Sequence, residues 1–402
     1  MIKRWWNSRT ARKFRQNRLA VVALFVISIY IALAFVLMLG GFISLETSDQ
    51  RIGSQVLPGF LGTVLPQKRL DNALDFIDDV DRALNNRDPE QALGELTIGF
   101  RSVAKLPQPE LRKLVDQGFE KYDHLAPILD ELADSSQVTT GQLSDETATE
   151  LTELEGIVDQ LWPPPTGWQA TKEGLALVFG TDRQGRSISM RAVYSVKVAI
   201  QVGVVTAFIS VLIGSVLGTA AAFFGGVVDH VVTWLYTTFA SIPNLVLLVL
   251  LAHMFTESQF ENTLVPVYVA FCLTFWIGPC RVIRGETLKL KELEYIQAAT
   301  AIGFSRPYIM VKHIIPNAAH LMLINFSLLF IGAIKSEVIL SFLGLGVKRG
   351  PSWGIMIKQS GQEVVNGFFW QIGTATGFMF VLVLAFNILS DALQDVFDPK
   401  HV

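Results

Sequence analysis

The chain has 402 residues, of which 50% are hydrophobic and 17% are charged, against roughly 25% charged residues in soluble domains. This composition disfavours a soluble globular enzyme, and a net charge of −3 gives no sign of a nucleic-acid binder. The charges are unevenly placed. Residues 46–173 hold 24 of the 36 acids and 11 of the 33 bases, a net −13, whereas the other 274 residues net +10. Residues 46–173 therefore have the composition of a soluble domain, and the rest of the chain does not.

The first apolar run, residues 19–45, has 27 consecutive uncharged residues, and about 20 suffice to cross the hydrocarbon core as a helix. A cleaved signal peptide would have a shorter apolar stretch and a small-residue cleavage site, so we predict a retained transmembrane helix. Residues 1–18 carry seven bases and no acid. By the positive-inside rule this N-terminal tail is predicted to be cytoplasmic.

Five further apolar runs follow, and with the first they predict an all-α polytopic membrane protein with six transmembrane helices. The transmembrane domain covers residues 198–391, with helices at about 198–226, 231–255, 262–280, 318–340 and 368–390. Six crossings return the C-terminal tail, residues 392–402, to the cytoplasm. Residues 281–317 become a cytoplasmic loop, and its first 32 residues hold six bases against three acids. The pattern predicts a multi-pass inner (cytoplasmic) membrane protein.

The acidic segment 46–175 is predicted to be an extracytoplasmic, all-helical insert between the first two transmembrane helices. Its apolar residues recur at helical spacing with aspartates between them, as in Leu70, Leu74, Ile77, Val80 and Leu84. Residues 176–197 form an amphipathic lead-in to the second transmembrane helix, and the whole loop 46–196 lies outside.

Two of the predicted transmembrane helices carry stripes of small residues, which permit close helix contact in lipid. One stripe repeats every four residues from Ser210 to Gly226, and Gly373 with Gly377 repeats the spacing. Contacts within this chain and contacts with another subunit would both use such stripes.

Known catalytic motifs are absent from the sequence. It contains no GxxxxGK[ST] phosphate loop and no HExxH metal pair, and its six histidines are scattered. We therefore predict no enzymatic activity, no cofactor and no metal site in this chain.

The segment EYIQAATAIGFSRPYIMVKHIIPN, residues 294–317, lies in the predicted cytoplasmic loop. A short helix from Tyr295 to Ile302 is expected to end at Gly303, since glycine favours the left-handed turn that closes a helix. Ser305 would cap a second helix with Pro307 in its first turn and Pro316 near its end. Such an element fits a groove on another protein, and it equally fits an ordinary amphipathic linker.

The same segment resembles the EAA loop of ABC-importer permeases, whose pattern is EAA, three residues, Gly, nine residues and I-x-L-P. Ala298, Ala299, Gly303 and Pro316 fall in register. Gln297 replaces the glutamate, His313 the isoleucine and Ile315 the leucine. The HIIPN ending is similar to that of the C-type subunits in the dipeptide/oligopeptide branch. Further resemblance lies in GTDRQGRSISMRAVYSVKVAI from residue 180, LSFLGLGVKRGPSWGIMI from residue 340 and FNILSDALQDVFDPK from residue 386.

The resemblance implies a type I ABC-importer permease subunit for peptides or similar small solutes, embedded in membrane lipid and binding no nucleic acid. Its expected partners are a homologous second permease, two cytoplasmic ATPase subunits that bind ATP and Mg, and an extracytoplasmic solute-binding protein. Docking on the ATPase is carried over to Gln297, Ala298, Ala299, Gly303 and Pro316, although Gln297 lacks the usual charge. The solute could be a dipeptide, an oligopeptide, a glutathione-like peptide or a nickel complex.

Lys335 and Glu337 follow the fifth apolar run and precede LSFLGLG. Charges at membrane depth are costly and raise the hypothesis of a gate or transport pathway. A position near the external interface would make them inexpensive, and we favour that interpretation.

A second functional hypothesis is a membrane-anchored sensor whose extracytoplasmic helical domain binds a ligand. A sensor needs a cytoplasmic output domain, and this chain offers only a short loop and a tail of about a dozen residues on that side. The permease hypothesis accounts for six spans and the loop motif together.

Overall fold

The computed structural model describes residues 16–40, 43–53, 56, 58, 65–134, 144–255 and 258–397. Most of the predicted basic tail 1–18 and the last residues of the predicted C-terminal tail lie outside these ranges. The chain divides into two compact units. One contains residues 194–359 with the first transmembrane helix and residues 375–402, and the other contains residues 43–193 with 360–374.

Almost all described secondary structure is helical, as the apolar runs predict. Five described helices are long and apolar enough to cross a membrane, or six if a bent pair counts as one span. The first, α1 (Arg18–Met38), begins after Asn17, whose side chain accepts the N–H of Ala20 at 3.2 Å. This cap satisfies one of the free N–H groups at the helix start.

The second unit begins with a helical insert. Its elements are α2 (Leu45–Asp49), α3 (Pro66–Leu84), α4 (Pro89–Glu95), β1 (Thr97–Ile98), β2 (Arg101–Ser102), α5 (Gln108–Asp134), α6 (Asp145–Leu161) and α7 (Trp168–Ala176). Helices α3, α5 and α6 bury one apolar core between them, formed by Leu70, Ile77, Val80, Leu111, Val115, Leu125, Leu129, Leu151, Leu154, Leu161 and Trp162. The helical spacing of the apolar residues therefore identified the core face of α3.

The all-helical prediction for the insert missed one small feature. Strands β1 and β2 form a two-residue antiparallel hairpin, with Thr97 opposite Ser102. Gly99 has a φ of +56° in the connecting turn, a left-handed conformation that interrupts a helix and that glycine adopts without steric cost. Its N–H donates to the Arg51 carbonyl at 2.8 Å, which ties the hairpin to the start of the insert.

The chain enters and leaves the insert side by side, at a region that we call the neck (residues 51–53 and 56 with 180–187). The Ile52 N–H donates to the Gly185 carbonyl at 2.7 Å, and the Thr181 N–H donates to the Val56 carbonyl at 2.9 Å. The Thr181 hydroxyl donates to the Gly53 carbonyl at 2.5 Å and accepts the Val56 N–H at 2.7 Å. These bonds close the insert at its base.

The remaining helices follow the neck. They are α8 (Ile188–Phe224), α9 (Gly226–Ala240), α10 (Asn244–His253), α11 (Val265–Phe275), α12 (Ile277–Leu290), α13 (Glu294–Ala301), α14 (Arg306–Leu343), α15 (Trp353–Val365) and α16 (Trp370–Phe397). Several of these helices extend beyond the residues predicted for them. Helix α8 begins at residue 188 rather than 198, so half of the predicted lead-in belongs to it, and α12 continues to residue 290 rather than 280.

The predicted continuous helix 231–255 is broken. Helices α9 and α10 meet at an angle of 88°, with residues 241–243 between them. Pro243 immediately precedes α10, and a proline without an N–H cannot continue the preceding helix without disturbing it. Hydropathy detects apolar residues and not this interruption, which explains the difference.

The two small-residue stripes have different surroundings. A side chain at Gly214 or Gly218 of α8 would collide with the backbone of Trp276 and Cys280, so this stripe brings α8 against the fourth predicted span. Gly373 and Gly377 of α16 have no described atom within 4 Å of an added Cβ. One stripe therefore serves contacts within the chain and the other remains open.

Candidate functional site

The loop between α12 and α14 is a helix-turn-helix element, as predicted. Helix α13 ends before Gly303, whose φ is +95°. The Gly303 N–H donates to the Thr300 carbonyl at 3.1 Å, and the Phe304 N–H donates to the Ala299 carbonyl at 3.2 Å. This pair of bonds closes a helix in a Schellman motif, in which glycine is the favoured left-handed residue.

Four buried side chains anchor the loop to the membrane helices. Ile296 and Ala299 of α13 form a cluster with Ile309 and Ile314 of α14. Phe223 at the end of α8 and Leu290 at the end of α12 pack against this cluster. A movement of the loop would therefore displace the ends of these helices.

The other side of the loop exposes an apolar surface. We call it the apolar loop face, and its side chains are exposed by 44 to 75%: Tyr295, Ile302, Phe304, Tyr308 and Val311. Exposed apolar patches of this kind mark interaction sites more often than scattered single residues do. None of these five residues belongs to the loop motif, although their bulk in a short polar and basic loop is a usable signal.

The aromatic residues of this face are held in place by one another. Phe304 and Tyr308 stack with ring centroids 5.2 Å apart, and His313 lies edge-on to Tyr308 at 6.1 Å. The Asn317 side-chain amide donates to the Tyr295 hydroxyl at 3.1 Å. A surface that is already ordered loses less conformational entropy when it binds a partner.

The five residues predicted to dock occupy different positions on the loop. Gln297, Ala298 and Gly303 are exposed on α13 and its turn, and Pro316 is exposed farther along in α14. Ala299 is 8% exposed and belongs to the anchoring cluster. The Gln297 side-chain amide donates to the Glu292 carbonyl at 3.2 Å, so it is oriented by the loop itself.

Two details of the predicted second helix were wrong. Ser305 occupies the N-cap position, but its side chain makes no capping hydrogen bond. Pro316 does not end the helix, because α14 continues to Leu343 through a π turn at Met310–Ile314. A proline ring clashes with the carbonyl four residues earlier in a regular α-helix, and the wider turn directly before Pro316 gives the ring room.

The bend between α9 and α10 opens a cleft of about 700 Å³ in the membrane unit. Helices α9, α10, α11, α12 and α14 and the break at residues 241–243 supply its lining, which includes Phe239, Ser241, Asn244, Thr274, Leu329 and Ser336. None of the described side chains that line it is charged. The cleft thus combines apolar walls with neutral hydroxyl and amide groups.

The structure separates the environments of Lys335 and Glu337. Lys335 is exposed, whereas Glu337 is 1% exposed. The Ser341 hydroxyl donates to the Glu337 carboxyl at 2.6 Å and accepts the Val347 N–H at 3.1 Å. Ser352 forms a second side-chain hydrogen bond with Glu337. Glu337 therefore connects the end of α14 to the segment that contains LGLG.

Membrane-crossing helices, a cleft at a broken span and an anchored helix-turn-helix loop together define a membrane permease component. The chain belongs to the family described as binding-protein-dependent transport system inner membrane component, the permease components of ABC importers, whose family model matches residues 179–401. A second model, the N-terminal TM domain of oligopeptide transport permease C, matches residues 5–54.

Curated relatives agree with this assignment. The dipeptide transport system permease protein of Bacillus subtilis is 33% identical over 223 residues, covering 55% of this chain and 68% of the relative. The oligopeptide transport system permease proteins of Bacillus subtilis and Haemophilus influenzae are 33% and 34% identical over the same length, which is 71% and 70% of their own chains. Residues 55–178, which include α3 to α7, lie between the two matched ranges.

Proposed function

We propose that this permease subunit moves peptides or similar small solutes inward and couples to a cytoplasmic ATPase through the α13 loop. The observation that carries the proposal is the two-sided loop: one side is anchored to α8 and α12, and the other exposes the apolar loop face. A binding event on the exposed side would act directly on the ends of two membrane helices.

The ATPase contact is assigned to the apolar loop face together with Gln297, Ala298, Gly303 and Pro316. Ala299 supports this surface from beneath, since its small side chain lets α13 lie close to α14. ATP and Mg would be bound by the two ATPase subunits. A complementary apolar groove on the ATPase, rimmed by acidic groups that meet Arg306 and Lys312, is the partner chemistry that fits.

The translocation pathway is assigned to the cleft at the α9–α10 bend. Neutral hydroxyl and amide groups such as Ser241, Asn244 and Ser336 can exchange hydrogen bonds with peptide amides without requiring a particular charge. The printed names of the relatives support peptides as the solute class. A homologous second permease would supply the other half of the pathway, and the open stripe at Gly373 and Gly377 is assigned to that contact.

The orientation is proposed from charge: both termini and the α13 loop are cytoplasmic, and the insert lies outside beside an extracytoplasmic solute-binding protein. A cysteine at exposed Asn86 of the insert should react with a membrane-impermeant thiol reagent in intact spheroplasts. The matched cysteine at exposed Thr300 of the loop should react only after lysis. The reverse labelling pattern would contradict this orientation.

Co-purification and uptake test the proposal together. Affinity-tagged chain should bring down a subunit with ATPase activity, and the reconstituted complex should take up labelled dipeptides or tripeptides only with ATP. Ile302→Ser combined with Tyr308→Ala should reduce recovery of the ATPase, because both substitutions remove exposed apolar contacts. Val365→Ser is the matched control, since Val365 is 84% exposed on α15. Equal recovery of the ATPase with both proteins would contradict docking at the loop.

A further inference from the structure

An ion pair joins α9, the helix that precedes the break at the cleft, to α12, the helix that precedes the α13 loop. The Arg284 guanidinium of α12 donates to both carboxylate oxygens of Asp229 in α9, with Nε–Oδ1 at 2.6 Å and Nη2–Oδ2 at 2.7 Å. Both side chains are 25% exposed. Such a two-bond arrangement fixes the relative orientation of the partners better than a single contact does.

A second contact lies farther along the same two helices. The Arg281 guanidinium of α12 lies 4.9 Å from the ring centroid of Tyr236 in α9. An apolar seam of Val232, Tyr236, Trp276 and Cys280 accompanies it. The two helices are therefore joined at polar contacts seven residues apart on α9, with apolar contacts between them, and should move as one body.

Of these two helices, one ends at the α13 loop and the other ends at the cleft. Helix α12 ends at Leu290, which packs on the anchoring cluster of the α13 loop. Helix α9 ends at Ala240, which lines the cleft beside the break at residues 241–243. At its other end α9 follows α8 through the left-handed pair Gly225 and Gly226, with φ of +68° and +52°, and Ala221 of α8 packs on the same apolar seam. A glycine pair of this kind allows the helix to swing.

We infer that Asp229 and Arg284 are positioning residues that transmit movement of the α13 loop to the cleft through α9. The inference rests on the proposed function. Helix α14 also runs from the loop to the cleft, but α9 has no other polar side-chain tie to α12 among the described contacts besides this pair and the Arg281–Tyr236 stack. Without this ion pair, α9 would move less than α12 when the α13 loop moves.

The test compares transport with ATP hydrolysis in proteoliposomes that contain the whole transporter complex. Asp229→Asn and Arg284→Gln should each lower peptide uptake per ATP hydrolysed by about tenfold, while the ATPase co-purifies at the wild-type ratio. The double exchange, Asp229→Arg with Arg284→Asp, should restore most of the uptake per ATP. A purely structural role would lower the amount of inserted protein and leave the ratio of uptake to hydrolysis unchanged.

The matched control is an ion pair that lies within α12 alone. Lys289 contacts Glu286 at 3.0 Å within α12, and Lys289 is 77% exposed. Lys289→Gln should leave uptake per ATP unchanged. If the Asp229 or Arg284 variants insert poorly, Arg284→Lys keeps the charge but loses the two-bond geometry and should give an intermediate ratio.

The two proposals fail in different ways. Wild-type uptake per ATP in both single variants, or no recovery in the double exchange despite normal insertion, would overturn the transmission role. Failure of the wild-type chain to bring down any ATPase would instead overturn the proposed function.

Discussion

Phe304 donates its backbone N–H to the carbonyl of Ala299 at 3.2 Å, across the left-handed turn at Gly303. Ala299 lies in the buried anchor and Phe304 lies on the exposed face, so this single bond links the two sides of the loop. The turn determines how the exposed aromatic residues are presented relative to the membrane helices.

Gly303→Val should uncouple the loop from transport. An added Cβ at Gly303 meets no described atom within 4 Å, but φ is +95°, and β-branched residues strongly resist positive φ. A non-glycine residue held there costs about 1–3 kcal/mol, so we expect the turn to open. Uptake by reconstituted complex is the measurement. Gly285→Ala in α12 is the control, because Gly285 is also uncrowded and has no positive φ.

Glu337→Ala should destabilise the membrane unit, whereas Lys335→Ala should not. The first substitution leaves the buried Ser341 hydroxyl without its acceptor, at a cost of about 1–3 kcal/mol. Lys335 is exposed, and surface substitutions usually change stability by about 0.5 kcal/mol or less. Thermal unfolding in detergent compares the two variants. Equal melting temperatures would show that the Glu337 network contributes nothing.

Thr181→Val should loosen the neck, because it removes a hydroxyl that both donates to Gly53 and accepts from Val56. Thr181 is 4% exposed, so water cannot readily replace these bonds, and the expected loss is about 1–3 kcal/mol. Limited proteolysis should cleave the variant faster around residues 51–56. Thr181→Ser keeps the hydroxyl and should resist protease like the wild type.

The carboxyl of Glu363, on α15, should make stability depend on pH. Burial raises the pKa of Glu363, and the Arg183 N–H, which donates to it at 2.8 Å, offsets only part of that effect. A folded-state pKa above the unfolded value means that the folded protein binds this proton more tightly. Stability should therefore rise as pH falls through the folded-state pKa and level off below the unfolded-state pKa.

Glu363→Gln removes this titration and keeps an acceptor for Arg183. The variant should match the wild type at acid pH and gain in melting temperature relative to it as pH rises. Glu110→Gln, at an exposed site on α5, controls for the loss of a surface carboxylate. A constant difference across the pH range would count against Glu363 as the responsible group.

Long apolar runs and helical spacing predicted most of the fold, since both report burial or lipid contact directly. The break at residues 241–243 escaped prediction because Ser-Ile-Pro scores as apolar within a membrane-length run. The hairpin at Gly99 escaped because two residues per strand leave no alternating pattern. Pro316 was misplaced because a π turn can only be recognised from backbone hydrogen bonds.

The candidate site was predictable in part. The turn at Gly303 follows from local chemistry, because few residues other than glycine favour positive φ. Which residues form the apolar loop face depends on which side of α13 packs against the membrane helices. The spacing of Ile296, Ala299 and Ile309 does not by itself determine that side. The burial of Glu337 depends on Ser341 and Ser352, and the second of these lies eleven residues beyond the first. Contacts across a turn leave no periodic pattern in the sequence.

In the proposed coupling, helix α14 would act as a lever arm. It runs for 38 residues from the α13 loop to Leu343, with the π turn at Met310–Ile314 included, or roughly 57 Å at 1.5 Å per residue. Ser336, which lines the cleft, lies 30 residues from its start, or about 45 Å along the axis. A tilt of about 5° at the loop end of a rod this long would shift Ser336 by about 4 Å. A small change of angle at the loop would therefore displace the cleft lining by the diameter of a water molecule or more.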